Sequence, residues 1–508
     1  GNGVAQARLR RAEERDPLNT QRNMELLAPA GGIEQLCAAV RFGADAVYLA
    51  SDRFGMRARA ANFALADIPA AVEIAHAAGV KVHVTANILM EQGDLAALPD
   101  YFRALDAAGV DAFIIGDLGA AAIARRVAPR VALHVSTQAS VANSEAARVW
   151  HSLGASRVVC AREMSLDDIS RMREDMPADM EIEAFAHGAM CMAVSGRCLI
   201  SSYLTGRSGN RGHCTQPCRW SYTLEEEKRP GEHFPIEEDD RGTFIMNAKD
   251  MNMLAHLDAL RAAGVDSIKI EGRNKKAFYV ASVVNAYRQV LDGAPVADFA
   301  AELEAVSHRP YGTGFFFGEA EQAPNYDGYE QQAMHVADVV ASDAGTRTIV
   351  ARCRNRFAEG EELEVLSPRV PITRVVVRNL TWLPDPAESD PDPAPVPVPV
   401  ANRSCGIYRF TVGAGVGEGE VVEAVGAGAV AEVSAAAATG TEANAGAAAV
   451  LEAGTNVAAD AGASDAAAAG ADAVPAARAG AGITGLALPA AGDFLRVRRF
   501  RRSARSGA

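Results

Sequence analysis

Apolar and polar positions repeat along the first 295 residues as one unit: an Ala-rich amphipathic stretch of helical period, a glycine, and a short apolar, β-branched run. The joints are RFGADAVYLA, HAAGVKVHVTAN, DAAGVDAFIIG, SLGASRVVCARE and RAAGVDSIKIEGR, with Gly43, Gly79, Gly109, Gly154 and Gly264 at the turns. Each glycine is placed to take the left-handed conformation that stops a helix before a strand begins. MELLAPA at the start, VALHVSTQ in the middle and EIEAFAHG at 181–188 bring the strands to eight. The pattern predicts an α/β fold, a (β/α)8 TIM-like barrel over residues 24–295, with a doubly wound open sheet as the alternative.

Beyond the barrel the period changes. RPYGTGFFFG leads into MHVADVVASDAGTRTIVARCRNRFAEGEELEVLSPRVPITRVVV, whose alternating valines and turn glycines predict a small C-terminal β-barrel domain over 309–424. Inside it, the proline-rich residues 384–400 read as an extended excursion. Residues 425–485 are rich in Ala and Gly with scattered acids, a composition that cannot build a core and predicts a disordered insertion. Residues 486–508 close the chain with a basic run, Arg496, Arg498, Arg499, Arg501, Arg502 and Arg505, either a solvated tail or a contact for RNA backbone. Residues 1–23 form an N-terminal extension.

Composition narrows the class. At 508 residues and 49% apolar content the chain can bury a full core, and its net charge of -14 excludes a protein coated in nucleic acid. A local basic groove, and so an RNA substrate, stays admissible. The small-residue tract near Gly426 is interrupted by Asp, Glu, Asn and Pro, so no membrane span is expected. With no apolar leader region near the start, the expected location is cytoplasmic.

Candidate chemistry concentrates in residues 183–220. Cys191, Cys198, Cys214 and Cys218 are half of the chain's 8 cysteines, spaced C-x6-C-x15-C-x3-C. Four thiolates suit a structural zinc or an iron-sulfur cluster. Zinc draws on tight C-x2-C knuckles, which neither pair has, so the spacing favours the cluster; two disulfides or inert thiols are the other readings. Cys37, Cys160, Cys353 and Cys405 stand apart as small core residues, with Cys160 a reserve ligand. No Asp or Glu occurs from Ala184 to Leu224, while Arg197, Arg207, Arg211 and Arg219 do. These arginines either neutralise a cluster or grip a carboxylate or phosphate.

Barrel enzymes place their chemistry after the strands. The residues there are Pro29 to Gly32, Asn87, Asp117, Thr137 and Gln138, Arg162 and Glu163, His187 and Gly188, and Glu271 to Arg273. Plain structural roles compete at each: Asp117 as a helix cap, Glu271 with Arg273 as an ion pair. His187 and Cys191, four residues apart, match a thiol protease pair only by a spacing common by chance. SYTLEEE with TFIMN reads as a small hairpin.

EAFAHGAMCMAVSGRCLIS resembles the signature of the peptidase U32 family, the collagenase-like group. ELLAPAGG, GADAVYLA, HVSTQ, AREMS, GHCTQPCRW and KIEGRNKKAFYVASVVNAYR resemble its pattern in order, over about residues 24 to 295. The resemblance implies a barrel and, in some branches, a 4Fe-4S cluster on Cys191, Cys198, Cys214 and Cys218, with oxygen-independent hydroxylation and prephenate as a dicarboxylate oxygen donor. Those branches act on the wobble uridine of tRNA, a cytidine of large-subunit ribosomal RNA, or a quinone precursor; other relatives are labelled proteases. The C-terminal β domain resembles that of the tRNA-acting branch, which implies a tRNA substrate. On this reading Arg197, Arg211, Arg219 and Arg273 meet the donor's carboxylates and the RNA phosphate. Asn87, Gln138 and Glu163 complete the substrate site, and His187 and Glu271 transfer protons.

Overall fold

The computed structural model describes residues 24–56, 62–191, 194–220, 223–225, 233–235, 249–320, 329–386, 393–414 and 491–498. It divides into two compact units: residues 1–335 with 366–371 and 497–508, and residues 336–365 with 372–496. The predicted insertion at 425–485 and Arg499, Arg501, Arg502 and Arg505 lie outside the described residues.

The first unit is the expected barrel. Its strands are β1 (Glu25–Pro29), β2 (Ala46–Leu49), β3 (Lys81–Ala86), β4 (Ala112–Ile115), β5 (Ala132–Val135), β6 (Arg157–Val159), β7 (Glu181–Gly188) and β8 (Ser267–Ile270). All neighbours are parallel, and closure is made by β8, which pairs with β7 (Ile268 opposite Ala184) and with β1 (Leu26 opposite Ile268). Helices α1 (Ile33–Arg41), α2 (Ile68–Ala77), α3 (Leu98–Ala107), α4 (Leu118–Val127), α5 (Ser144–Ser152) and α6 (Leu166–Asp175) alternate with strands β1 to β7. Gly43 (φ 100°) and Gly264 (φ 87°) hold the left-handed turns that the helix-to-strand joints require. Asp117, Asn143 and Ser165 accept backbone N–H bonds from Ala120, Ala146 and Asp168, so α4, α5 and α6 start on side-chain caps.

Between β7 and β8 the chain makes a long excursion. It carries α7 (Ile200–Thr205), a strand at Asp250–Asn252 running antiparallel to the carboxyl end of β7, and α8 (Leu257–Ala262). Thr223–Glu225 pairs antiparallel with His233–Pro235; TFIMN, which the sequence pattern set beside SYTLEEE, lies outside the described residues. Such three-residue strands carry too little alternation to fix a partner. After β8, α9 (Ala277–Leu291) is buried along most of its length, from Phe278 to Tyr287, and α10 (Val296–Ala305) follows.

The division between units falls after His335, later than residue 309. Tyr311–Gly312 adds a parallel strand to Asp250–Met251, and His308 bridges Glu330, which ties this stretch into the first unit. The second unit is antiparallel: β9 (Ala333–Asp343), β10 (Thr348–Cys353), β11 (Glu362–Leu366), β12 (Thr373–Leu383), β13 (Ile407–Ala414) and β14 (Phe494–Arg498). Their order is β11, β14, β9, β10, β13, β12, and β12 pairs back onto β11, so the sheet closes. Phe357, Tyr408 and Phe410 fill its centre. Arg496 departs from the tail reading: it is fully buried on β14, with Nε 2.9 Å from the Glu364 carboxylate. Of the proline-rich stretch, Val396–Pro397 and Val400–Ala401 form two-residue strands. Among the described residues no helix is long and apolar enough to cross a membrane.

Candidate active site

The carboxyl ends of the barrel strands surround a solvent-open cavity. Asn87, Thr137, Gln138, Arg162, Glu271 and Arg273, all expected from their positions after strands, line it together. Gly31 lets the β1 loop reach the rim: a Cβ there would sit 1.9 Å from the Arg273 carbonyl oxygen. Asn87 Nδ2 donates to Ser136 Oγ (3.0 Å) and its Oδ1 accepts the Met56 N–H (3.3 Å), which fixes the amide's orientation. Arg162 donates to the Ala189 carbonyl (2.9 Å) and lies 3.9 Å over the Phe185 ring.

Sequence reasoning missed Tyr48, Met56, Thr85, Ser136, Val159, Phe185 and, above all, Lys269. The available signal for Lys269 was a cation inside the apolar run SIKI, which in a barrel strand means an inward side chain. Its Nζ is 2.8 Å from Glu183 Oε1 and 4.4 Å above the Tyr48 ring. Burial pushes the Lys269 pKa below its usual value, against the opposing pull of Glu183. Deeper still, Arg157 holds Glu25 (2.5 Å), Glu181 (2.7 Å) and Glu183 (3.1 Å), so the barrel floor is an ion-pair network. Arg162, Lys269 and Arg273 against Glu271 leave the lining with a cationic excess, since Glu183 lies behind it.

The cysteine segment is moored beside the cavity. Glu163 does not line it; its carboxylate accepts the Ser195 N–H (3.0 Å) and hydroxyl, while Ser140 donates to the Ser195 carbonyl. Gly196, at φ 73°, passes so close to Gln138 that a Cβ would stand 2.0 Å from its carbonyl oxygen. Leu89 N–H donates to the Asn210 carbonyl (2.8 Å), and Arg211 bonds Asp94 (2.8 Å) and the Leu89 carbonyl (2.8 Å). Glu163 and Arg211 are thus committed to holding the segment. Arg197 is exposed, and only the backbone of Arg219 is described.

Cys191 is exposed and Cys198, Cys214 and Cys218 are half-buried, with the Gln216 N–H directed at Cys214 Sγ (3.3 Å). Tetrahedral zinc needs sulfurs about 3.8 Å apart. Among the described residues the one set of three or more possible ligands gathered within 4.8 Å contains none of these cysteines. Cys160 is buried at the end of β6, and burial pushes its thiol up to about 12. His187 sits away from the cavity lining, among Tyr279, Tyr287 and Tyr311, with Nδ1 3.4 Å from the Tyr287 hydroxyl. Its Nε2 has no hydrogen-bond partner among the described residues, and burial pulls its pKa down to about 3. Cys191 is exposed where His187 is enclosed, so the pair does not form a base and nucleophile.

A closed eight-stranded barrel with polar and cationic side chains at the carboxyl ends of its strands and an adjoining four-cysteine segment has the architecture of a barrel enzyme. The family model described as Peptidase family U32 matches residues 31–325, and this chain belongs to that family. It is 39% identical to tRNA hydroxylation protein P1 of Bacillus subtilis over 68% of this chain and 84% of that protein. Identity is 34% with tRNA hydroxylation protein P of Escherichia coli, over 68% and 86%. The 23S rRNA 5-hydroxycytidine C2501 synthase of Escherichia coli is 40% identical over 53% of this chain and 39% of that protein.

Proposed function

We propose that this protein is an oxygen-independent RNA hydroxylase that forms 5-hydroxyuridine at the tRNA wobble position. Prephenate is its oxygen donor, and a 4Fe-4S cluster is held by Cys191, Cys198, Cys214 and Cys218. The observation that carries this reading is the cationic cavity of Arg162, Lys269 and Arg273 lying beside an acid-free segment with four thiols. RNA hydroxylation is what the names of all three relatives describe.

The donor set fits a cluster: four thiols from one segment, Cys191 exposed and the other three half-buried, and not drawn together at zinc spacing. When bound, a cysteinyl cluster supplies one-electron chemistry. The remaining work falls to the chain's own side chains. Arg162 and Arg273 take the two carboxylates of the donor, a role in which Arg162 replaces the more distant arginines of the cysteine segment. Asn87 and Gln138 orient the polar edge of a splayed base. Glu271 is the carboxylate in the cavity lining and is the group placed there to hold or move a proton. Exposed Arg197 and Arg207 face the RNA phosphates.

The test is mass spectrometry of tRNA nucleosides from cells carrying the wild type or Cys191→Ala, with iron and sulfide assayed on anaerobically purified wild type and Cys214→Ala. Loss of 5-hydroxyuridine in the first variant, and of about four irons per chain in the second, is expected. Retained modification in Cys191→Ala overturns the reading.

A further inference from the structure

We propose that Glu304, His308 and Glu330 form a binding site for a divalent cation of the zinc type, apart from both the barrel cavity and the cysteine segment. Their ligand atoms, one imidazole nitrogen and two carboxylate oxygens, all lie within 4.8 Å of one another.

Backbone structure brings these three residues together before any metal is considered. Glu304 stands on the last turn of α10, four residues before His308. His308 and Glu330 exchange both backbone hydrogen bonds, His308 N to Glu330 O at 3.0 Å and Glu330 N to His308 O at 2.8 Å. Residues paired in this way project their side chains to the same face. A third bond, from Gln332 N–H to the Glu304 carbonyl (3.0 Å), ties the strand after Glu330 to the helix end.

The imidazole is oriented as a metal ligand's would be. His308 Nδ1 is 2.6 Å from the Arg309 carbonyl oxygen, which can only accept, so Nδ1 carries the hydrogen. Nε2 is thereby the nitrogen turned toward the carboxylates, 3.2 Å from Glu304 Oε2. The ring is buried and stacks on Tyr311 at 4.2 Å and 6°. A histidine that donates one nitrogen to a backbone carbonyl and aims the other at carboxylates has the usual second support of a metal-bound imidazole. Beside the cluster, Lys275 Nζ donates to the Ser307 carbonyl (2.9 Å) and the Arg309 guanidinium lies 5.5 Å from the centre of the Tyr329 ring.

A nitrogen and two oxygens suit zinc or a neighbouring first-row divalent ion, whereas the four thiolates are a soft set. Metal bonds of about 2.1 Å place ligand atoms at most about 4.2 Å apart, so binding would draw the three slightly closer. Such an ion would staple the end of α10, the His308 turn and the segment at Glu330.

The decisive experiment uses the full chain with Cys191, Cys198, Cys214 and Cys218 all changed to Ser, which removes the thiolate sites. Zinc is titrated calorimetrically, and the bound ion is examined by X-ray absorption. One zinc per chain with nitrogen and oxygen neighbours only, and a Kd raised at least about tenfold by Glu330→Gln or His308→Gln, is the expected result. Absence of stoichiometric zinc, with His308 doubly protonated in its nitrogen NMR signals, would show a simple imidazolium pair and overturn the site. Should the cysteine-free chain not fold, zinc is counted in cluster-loaded wild type against Glu330→Gln. A difference of one equivalent supports the site and equality removes it.

Discussion

Lys269 Nζ and Glu183 Oε1 meet at 2.8 Å inside the barrel, with the lysine at 5% exposure and the glutamate at 0%. The pair joins the floor to the cavity, because the same glutamate also bonds Arg157. Glu183→Gln leaves the buried Lys269 ammonium without its carboxylate, while Arg157 keeps Glu25 and Glu181. The expected cost is about 3–5 kcal/mol, read from urea unfolding; Glu183→Gln combined with Lys269→Met should recover part of it.

Acid should unfold the barrel in two stages. Burial draws the His83 pKa down to about 4 from 6.5, so this ring is neutral in the fold and protonates more readily in the unfolded chain. Stability therefore starts to fall as pH drops below 6.5 and goes on falling toward 4. Glu25 is raised by burial but lowered more by Arg157, to about 2 from 4.5, so its contribution is present above 4.5 and lost on the way to 2. Urea midpoints from pH 8 to pH 3 check the order, and His83→Asn should lessen the slope of the upper stage without removing it, because burial also holds His134 and His187 below their usual values.

Arg211→Ala should separate mooring from stability. Arg211 lies across Asp94 at 2.8 Å with 24% and 19% side-chain exposure, and a half-open pair of this kind contributes about 1 kcal/mol or less to global stability. Limited proteolysis between residues 191 and 218 should nevertheless accelerate, while Tm moves little. An unchanged cleavage rate would show that Ser195 and Asn210 suffice to hold the segment.

Arg162→Lys should weaken donor binding while preserving charge. The planar guanidinium both stacks on Phe185 and reaches the Ala189 carbonyl, two roles that a lysine ammonium cannot fill together. KM for the donor should rise about tenfold, a loss of one charge-assisted hydrogen bond, with a smaller change in kcat. A change confined to kcat would remove Arg162 from the binding role.

The barrel was legible because five helices, α1, α2, α3, α5 and α8, run into a glycine with a strand following within a few residues, so local chemistry and the overall topology agree. Asn87, Gln138, Arg162, Glu271 and Arg273 followed from the rule that barrel chemistry sits after strands. Lys269 did not, because inward positions of a closed barrel tolerate a charge only where a partner such as Glu183 arrives from a strand far off in sequence. The same holds for Arg496, whose burial depends on Glu364, 132 residues away. Glu163 and Arg211 were recognisable as polar residues near the mouth, but their engagement with Ser195 and Asp94 is tertiary. His187 follows a strand end as expected, yet the tyrosines around it come from α9 and from Tyr311.

Closure of the barrel also sets a timetable for synthesis. Glu25 on β1 accepts a hydrogen bond from Ser267, 242 residues later, and β1 has no second neighbour until β8 arrives. While the chain is being made, seven strands and the carboxylates around Arg157 must therefore wait as an unfinished sheet with an open edge. At about 5–20 residues per second that interval lasts many seconds. The nascent chain is thus an expected client for ribosome-bound chaperones until β8 has emerged.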